Sequence, residues 1–157
     1  MEREISPVAE WQQVDHGPRF KIPSDWVKVG ESGIDSNGGG YSGDAMHLNF
    51  DEVFGLGFGQ DDARKALAKL KEKRRNQRSL APNEEIWKLG GRLAEFSLEK
   101  PSKDGSARFG NKARLYIPYE EVPGYLVIII EYRDASNLET VREIFRSVRR
   151  PRIVLRK

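Results

Sequence analysis

The chain holds few side chains of the kinds that carry out reactions. His16 and His47 are its only imidazoles, and cysteine is absent from all 157 residues. Without thiols there is no disulfide, no cysteine nucleophile and no thiolate zinc site. Two histidines alone supply too few donors for a structural zinc. His47 falls in an alternating pattern, where an imidazole is more often a packed sheet residue than a ligand. No Gly-x-Ser-x-Gly elbow occurs, and spacing places no partner beside either histidine. Asp44, Asp51 and Glu52 hold the carboxylates that a glycosidase would need, but spacing along a chain does not set a separation in space. The residues therefore argue against an enzyme: no catalytic, cofactor-binding or metal-ligating residue is assigned, and no cofactor is expected.

Two loops imitate ligand sites. Asp35-Ser36-Asn37-Gly38-Gly39-Gly40-Tyr41 opens like a calcium loop. It departs at Gly39, which has no side-chain oxygen, and at Met46, which stands where a bidentate Glu belongs. Gly55-Leu56-Gly57-Phe58-Gly59 precedes a helix and suggests a phosphate cradle. No Lys-Ser/Thr follows it, and Asp61 and Asp62 already occupy the end that would attract an anion. The expected role of these glycines is turn formation, with Phe54 and Phe58 packed on the core.

Charge is the stronger signal. The net charge is only +3, but its distribution is uneven. From Glu31 to Asp62 there is no Lys or Arg and the net charge is −7; Ala63 to Arg78 carries +7 and Asn137 to Lys157 carries +5. Such segregation serves solubility or steers a charged partner. Candidate contact residues are Asp35, Asp44, Asp51 and Glu52 in the acidic stretch. In the basic ones they are Arg74, Arg75, Arg78, Arg149 and Arg150.

The elements that must present these residues follow from periodicity. Residues 1–16 read as a polar lead-in that Trp11 pins. Phe20 and Ile22, then Trp26, Val27 and Val29, alternate as two short strands around Pro23. Residues 30–44 read as a long Gly-rich loop. Met46, Leu48 and Phe50 alternate as a third strand. Asp61 to Gln77 is a helix, with Ala63, Ala66, Leu67 and Leu70 on one stripe, acids at its start and bases at its end. Glu84 to Leu89, the Gly90-Gly91 turn, and the Ala94, Phe96, Leu98 alternation make a hairpin. Ala113, Leu115 and Ile117 form a further strand. Tyr125 to Tyr132 has almost no polar face, which predicts a central strand covered on both sides. Ser136 and Glu139 suit a capping box for a helix whose apolar face runs from Leu138 to Val148. Pro151 ends it. The order is βββαββββα. The expected fold is α+β: a mostly antiparallel β-sheet packed with two amphipathic helices, in one domain over residues 17–150, with a basic tail at 151–157.

This layout resembles the PsbP-like fold family, which includes extrinsic photosystem subunits, a Ran-GTPase-binding import factor and DcrB-like bacterial proteins. Phe20-Lys21-Ile22-Pro23-Ser24-Asp25-Trp26 is similar to the family's opening apolar-x-apolar-Pro-x-x-Trp hairpin. Glu139 to Val148 is similar to its closing helix, with Phe145-Arg146-Ser147 as the aromatic-x-Ser step. The likeness runs from Gly17 to Arg150, and the Gly-rich stretch has no counterpart. It implies a PsbP-like sandwich that binds other proteins and carries no shared catalytic residues. The expectation is therefore a non-enzymatic accessory or binding module that acts through protein–protein contacts with an unidentified protein partner. Nucleic-acid or other polyanion binding through the basic helix ends is the alternative from another class. A small-ligand or calcium-binding protein is a third. The longest apolar run, Tyr125 to Ile130, is far shorter than the roughly 20 residues of a membrane-spanning helix. No export signal opens the chain, so it would stay in the cytoplasm if Met1 is the native start. It would be exported or periplasmic if a leader has been removed ahead of it.

Overall fold

The computed structural model describes residues 10–31, 36–55, 57–99 and 109–154. Asp35, Leu56, residues 100–108, most of the lead-in and the end of the basic tail lie outside the described residues.

Nine strands and two α-helices alternate along these residues. They are β1 (Trp11–Asp15), β2 (Arg19–Pro23), β3 (Val27–Glu31), β4 (Ser36–Ser42), β5 (Met46–Phe54) and α1 (Gln60–Arg75). Then come β6 (Glu84–Leu89), β7 (Arg92–Glu99), β8 (Asn111–Pro118), β9 (Gly124–Tyr132) and α2 (Leu138–Arg146). The fold is α+β, and every strand pairing is antiparallel. Strands β3 to β9 form one sheet in the order β3-β4-β5-β9-β8-β7-β6, and β1 and β2 form a separate hairpin. No helix among the described residues is long and apolar enough to cross a membrane.

Two strands correct the expected order. β1 lies inside the predicted lead-in: Val14 is buried, and Gln12 Nε2 donates to the carbonyls of Pro23 at 3.1 Å and Trp26 at 2.8 Å. β4 lies inside the predicted loop. Its three glycines pair Gly38 with Asp51, Gly39 with Phe50 and Gly40 with Asn49. The reason is packing. A Cβ on Gly38 would stand 2.5 Å from the Phe50 carbonyl oxygen, so the strand lies this close to β5 only with a residue that has none.

Register divides the sheet into two faces. Leu48, Phe50, Leu126, Ile128, Ile130, Leu115 and Phe96 share the buried face, where α2 brings Val141, Ile144 and Phe145. The Phe145 ring meets Phe96 edge-on at 5.8 Å. Phe20 and Ile22 of the hairpin close the same face. α1 packs on the opposite face over β6, β7 and β8, and Lys73 there bonds Glu84 at 2.9 Å and Glu95 at 2.8 Å. The helices thus flank the sheet.

β9 is central as expected, but it is sealed on one side only. Leu126, Ile128 and Ile130 are fully buried, whereas Tyr125, Val127 and Ile129 are half-buried on the face that α1 covers in part. Phe58 packs edge-on against Tyr125 at 5.2 Å. The predicted Ser136–Glu139 capping box is also replaced. Asn137 Oδ1 accepts from the Asp134 N–H at 3.0 Å, one turn earlier, because a 3₁₀ turn at Ala135–Asn137 precedes α2. α1 starts similarly, with the Asp62 carboxylate accepting from the Gly59 N–H at 2.8 Å.

Candidate functional site

The two basic segments meet in space. At the end of the sheet where β6 turns into β7, Leu89 pairs with Arg92, leaving Gly90 and Gly91 as a two-residue turn. Both have positive φ, +56° and +87°, which glycine adopts without strain and which this tight turn requires. A cleft of about 450 Å³ opens beside the turn, lined by Leu67, Leu93, Pro118, Arg150 and Arg152 among others. A second of about 420 Å³ adjoins it, lined by Lys71, Arg74, Arg75 and Lys88. Gly91, Leu93 and Glu120 line both. Arg149 lies against Gly90, whose added Cβ would stand 2.9 Å from its Cδ.

Local sequence accounts for this convergence. Leu67, Lys71 and Arg74 recur at i, i+4, i+7 along one side of α1. Lys88 and Leu93 are direct cross-strand partners, so they share the face on which α1 rests. The chain leaving α2 is pinned to β2 by reciprocal Arg19–Arg149 backbone bonds of 2.7 Å, which bring Arg150 and Arg152 to the turn.

A charged network holds this end together: Arg92, Glu121 and Arg150 form part of the cleft wall, with Glu52 and Tyr119 buried behind them. Glu52 is only 1% exposed. It accepts from Arg150 Nε at 2.9 Å and Arg150 Nη2 at 3.1 Å, and from the Tyr119 hydroxyl. Arg92 makes a forked pair with Glu121, at 2.7 and 2.8 Å, and its Nε donates to the Arg150 carbonyl at 3.0 Å. The Arg92 guanidinium also lies 5.0 Å over the Tyr119 ring. Burial, with Glu52 accepting its proton, pushes the Tyr119 hydroxyl far above the ordinary tyrosine range. Burial would raise Glu121, but Arg92 outweighs it and holds that carboxyl below its usual value. Arg150 is held above its ordinary value: burial opposes its charge, and the bonds to Glu52 more than compensate.

Among the described residues, the predicted acidic contact residues Asp44, Asp51 and Glu52 do not share one face. Asp44 stands exposed in the β4–β5 turn at the far end of the sheet, beside Asp25 and Glu10. Asp51 and Glu52 are neighbours on β5 and so point to opposite faces, Asp51 to solvent and Glu52 to the interior. Glu52 and Arg150, expected on separate contact surfaces, are bound to each other. Arg75 lines the cleft but is paired with Glu72 at 2.8 Å. Arg78 is exposed in the 3₁₀ turn Gln77–Ser79, outside the cleft lining. Among the described residues no carboxylate pairs with Lys71, Arg74, Lys88 or Arg152. Sequence reasoning missed Lys88 and Arg152 as partners of Arg74, and missed Arg92, Tyr119 and Glu121 altogether. Only the Lys88–Leu93 pairing, implied by the Gly-Gly hairpin, offered a signal.

Among the described residues no three His, Asp or Glu side chains gather as metal ligands. Both histidines are on the β5 side of the molecule: His16 stacks on Phe50 at 6.1 Å, and the buried Nδ1 of His47 has no hydrogen-bond partner among the described residues.

No protein-family model and no curated protein matches the chain. Solved structures do. A protein from Bacteroides thetaiotaomicron superposes with a TM-score of 0.51 at 14% identity, covering 95% of this chain and 48% of that one, so the chain spans about half its length. The cyanobacterial PsbP protein CyanoP from Synechocystis superposes with a TM-score of 0.50 at 13% identity, covering 95% of this chain and 97% of that one. The fold is therefore PsbP-like, and likeness at this identity speaks for the fold alone.

Proposed function

We propose that the protein is a non-catalytic binding module whose contact surface is the basic cleft beside Gly90-Gly91, and that its ligand is an acidic segment of a partner protein. One observation carries this reading: cations from α1, β6 and the chain after α2 converge on one turn from three separate parts of the sequence. Lys71, Arg74, Lys88 and Arg152 sit there without carboxylate partners among the described residues, while Arg92, Glu121, Arg150 and Glu52 are matched in pairs. Uncompensated charge at the rim of a cleft sets capture rate and choice of partner.

Binding of labelled poly-L-glutamate tests the reading. The wild type should capture it, more weakly as salt rises. The charge reversal Lys71→Glu/Arg74→Glu/Arg152→Glu should abolish capture with an unchanged melting temperature, since all three side chains are exposed. Equal capture by that variant overturns the proposal.

A further inference from the structure

The cleft has a floor as well as a rim, and the floor narrows the choice of ligand. We infer that its occupant is a peptide segment in which an aliphatic side chain is flanked on both sides by carboxylates. This rests on the reading just given.

Leu93 lies where the two lobes meet, with Leu67 and Pro118 extending the apolar floor into one of them. Among the described residues neither lobe is lined by an aromatic side chain. A nucleic-acid strand would find phosphate partners there but no ring on which to stack a base. Inorganic phosphate would use the cations and leave the leucines in water. A peptide uses both.

Glu120 fixes the order of the side chains. It is the exposed carboxylate in the wall common to both lobes; Lys71, Arg74 and Lys88 line one lobe with it and Arg152 lines the other. A ligand carboxylate at the centre would meet Glu120, whereas an aliphatic group there meets Leu93. Carboxylates on either side reach Lys71, Arg74 and Lys88 in one direction and Arg152 in the other. Gly91, which has no side chain, lets the peptide backbone pass close to the turn.

The test is fluorescence anisotropy with labelled nine-residue peptides: four Glu, one central residue, four Glu. With Leu at the centre, affinity should exceed that of the Ser and Glu versions by about tenfold, the order expected for burying one aliphatic side chain. Leu67→Ser should erase that preference while salt-sensitive capture of all three persists. Leu67 is half-exposed, so the variant keeps its core. Glu120→Gln should raise the affinity of the all-Glu peptide most. Equal binding of the Leu and Glu peptides overturns the inference and leaves the basic cleft standing as an acidic-segment site. Tighter binding of an oligothymidylate than of any peptide overturns both in favour of nucleic acid. Absence of capture for every probe overturns both outright.

Discussion

Glu52 stands next to Asp51 in the sequence and in a wholly different medium. A carboxylate at 1% exposure is costly unless its oxygens are occupied, and here Arg150 and Tyr119 occupy them. Removing one member of such a pair costs more than the pair itself contributes, because the other charge stays buried alone. Arg150→Met should therefore lower the unfolding free energy by about 3–5 kcal/mol in urea titrations. The double variant Glu52→Leu/Arg150→Met should recover most of that loss, since no charge is left behind. If the double variant is as unstable as the single one, the pair stabilises by packing rather than by charge. Tyr119→Phe leaves the ring stacked on Phe54 and removes only the donor to Glu52. Its expected cost is smaller, about 1–3 kcal/mol.

Glycines decide the elements that periodicity misjudged. In β4 a Cβ on Gly40 would stand 2.5 Å from the Val29 carbonyl oxygen and 2.9 Å from Asn49 Oδ1, contacts that only a shift of the strand relieves. Gly40→Ala should destabilise by about 1–3 kcal/mol in chemical denaturation, the range for overfilling a packed site. Among the described residues nothing stands within 4 Å of a Cβ on Gly110, and its φ is not positive, so Gly110→Ala should be neutral or stabilising by up to about 1 kcal/mol. A similar loss in both variants would mean that crowding at β4 is not the cause. The same chemistry explains what was legible in the sequence. Where side chains alternate, as in β5, β7 and β8, the strands were legible directly, and β9 was legible from its apolar run, though not its half-buried second face. The Gly90-Gly91 turn was equally plain, because its residues are the ones a two-residue hairpin demands. β4 was not, since Gly38-Gly39-Gly40 carry no alternation and strand pairing there is imposed by β5 and Phe50. The cleft was half legible. Arg74 and Arg149 announced basic ends, but nothing local says that both ends reach one turn, and pairing partners such as Glu52 and Arg150 are 98 residues apart.

Across the whole molecule, charge is separated between the two ends of the sheet. The basic cleft lies at the end of the sheet marked by the β6–β7 turn, and Glu10, Asp25 and Asp44 surround a separate cleft at the other. On the proposed reading, an acidic segment would be attracted by one end and repelled by the other, which would orient it before contact. Charge pairs, one nearly buried and one at the surface, set the response to pH. Glu85 is held below the usual carboxyl value, first by its hydrogen bond from Arg142, and Glu121 by Arg92 against the effect of burial. Groups lowered in this way add stability that is fully present above the unfolded carboxyl value of about 4.3 and fades as pH falls through their depressed ones. Tyr119 and Lys73 act in the opposite sense. Burial raises Tyr119, while burial would lower Lys73 but its bonds to Glu95 and Glu84 prevail. Their stability is complete below the unfolded values near 10 and is lost as pH rises above them. Urea midpoints should therefore form a plateau from about pH 5 to 9 and fall on both sides. Glu121→Gln should lower the plateau and make the acid limb shallower, so that its curve meets that of the wild type once pH has fallen below the depressed Glu121 value. A variant curve displaced in parallel at every pH would mean that the Arg92–Glu121 fork contributes through shape alone.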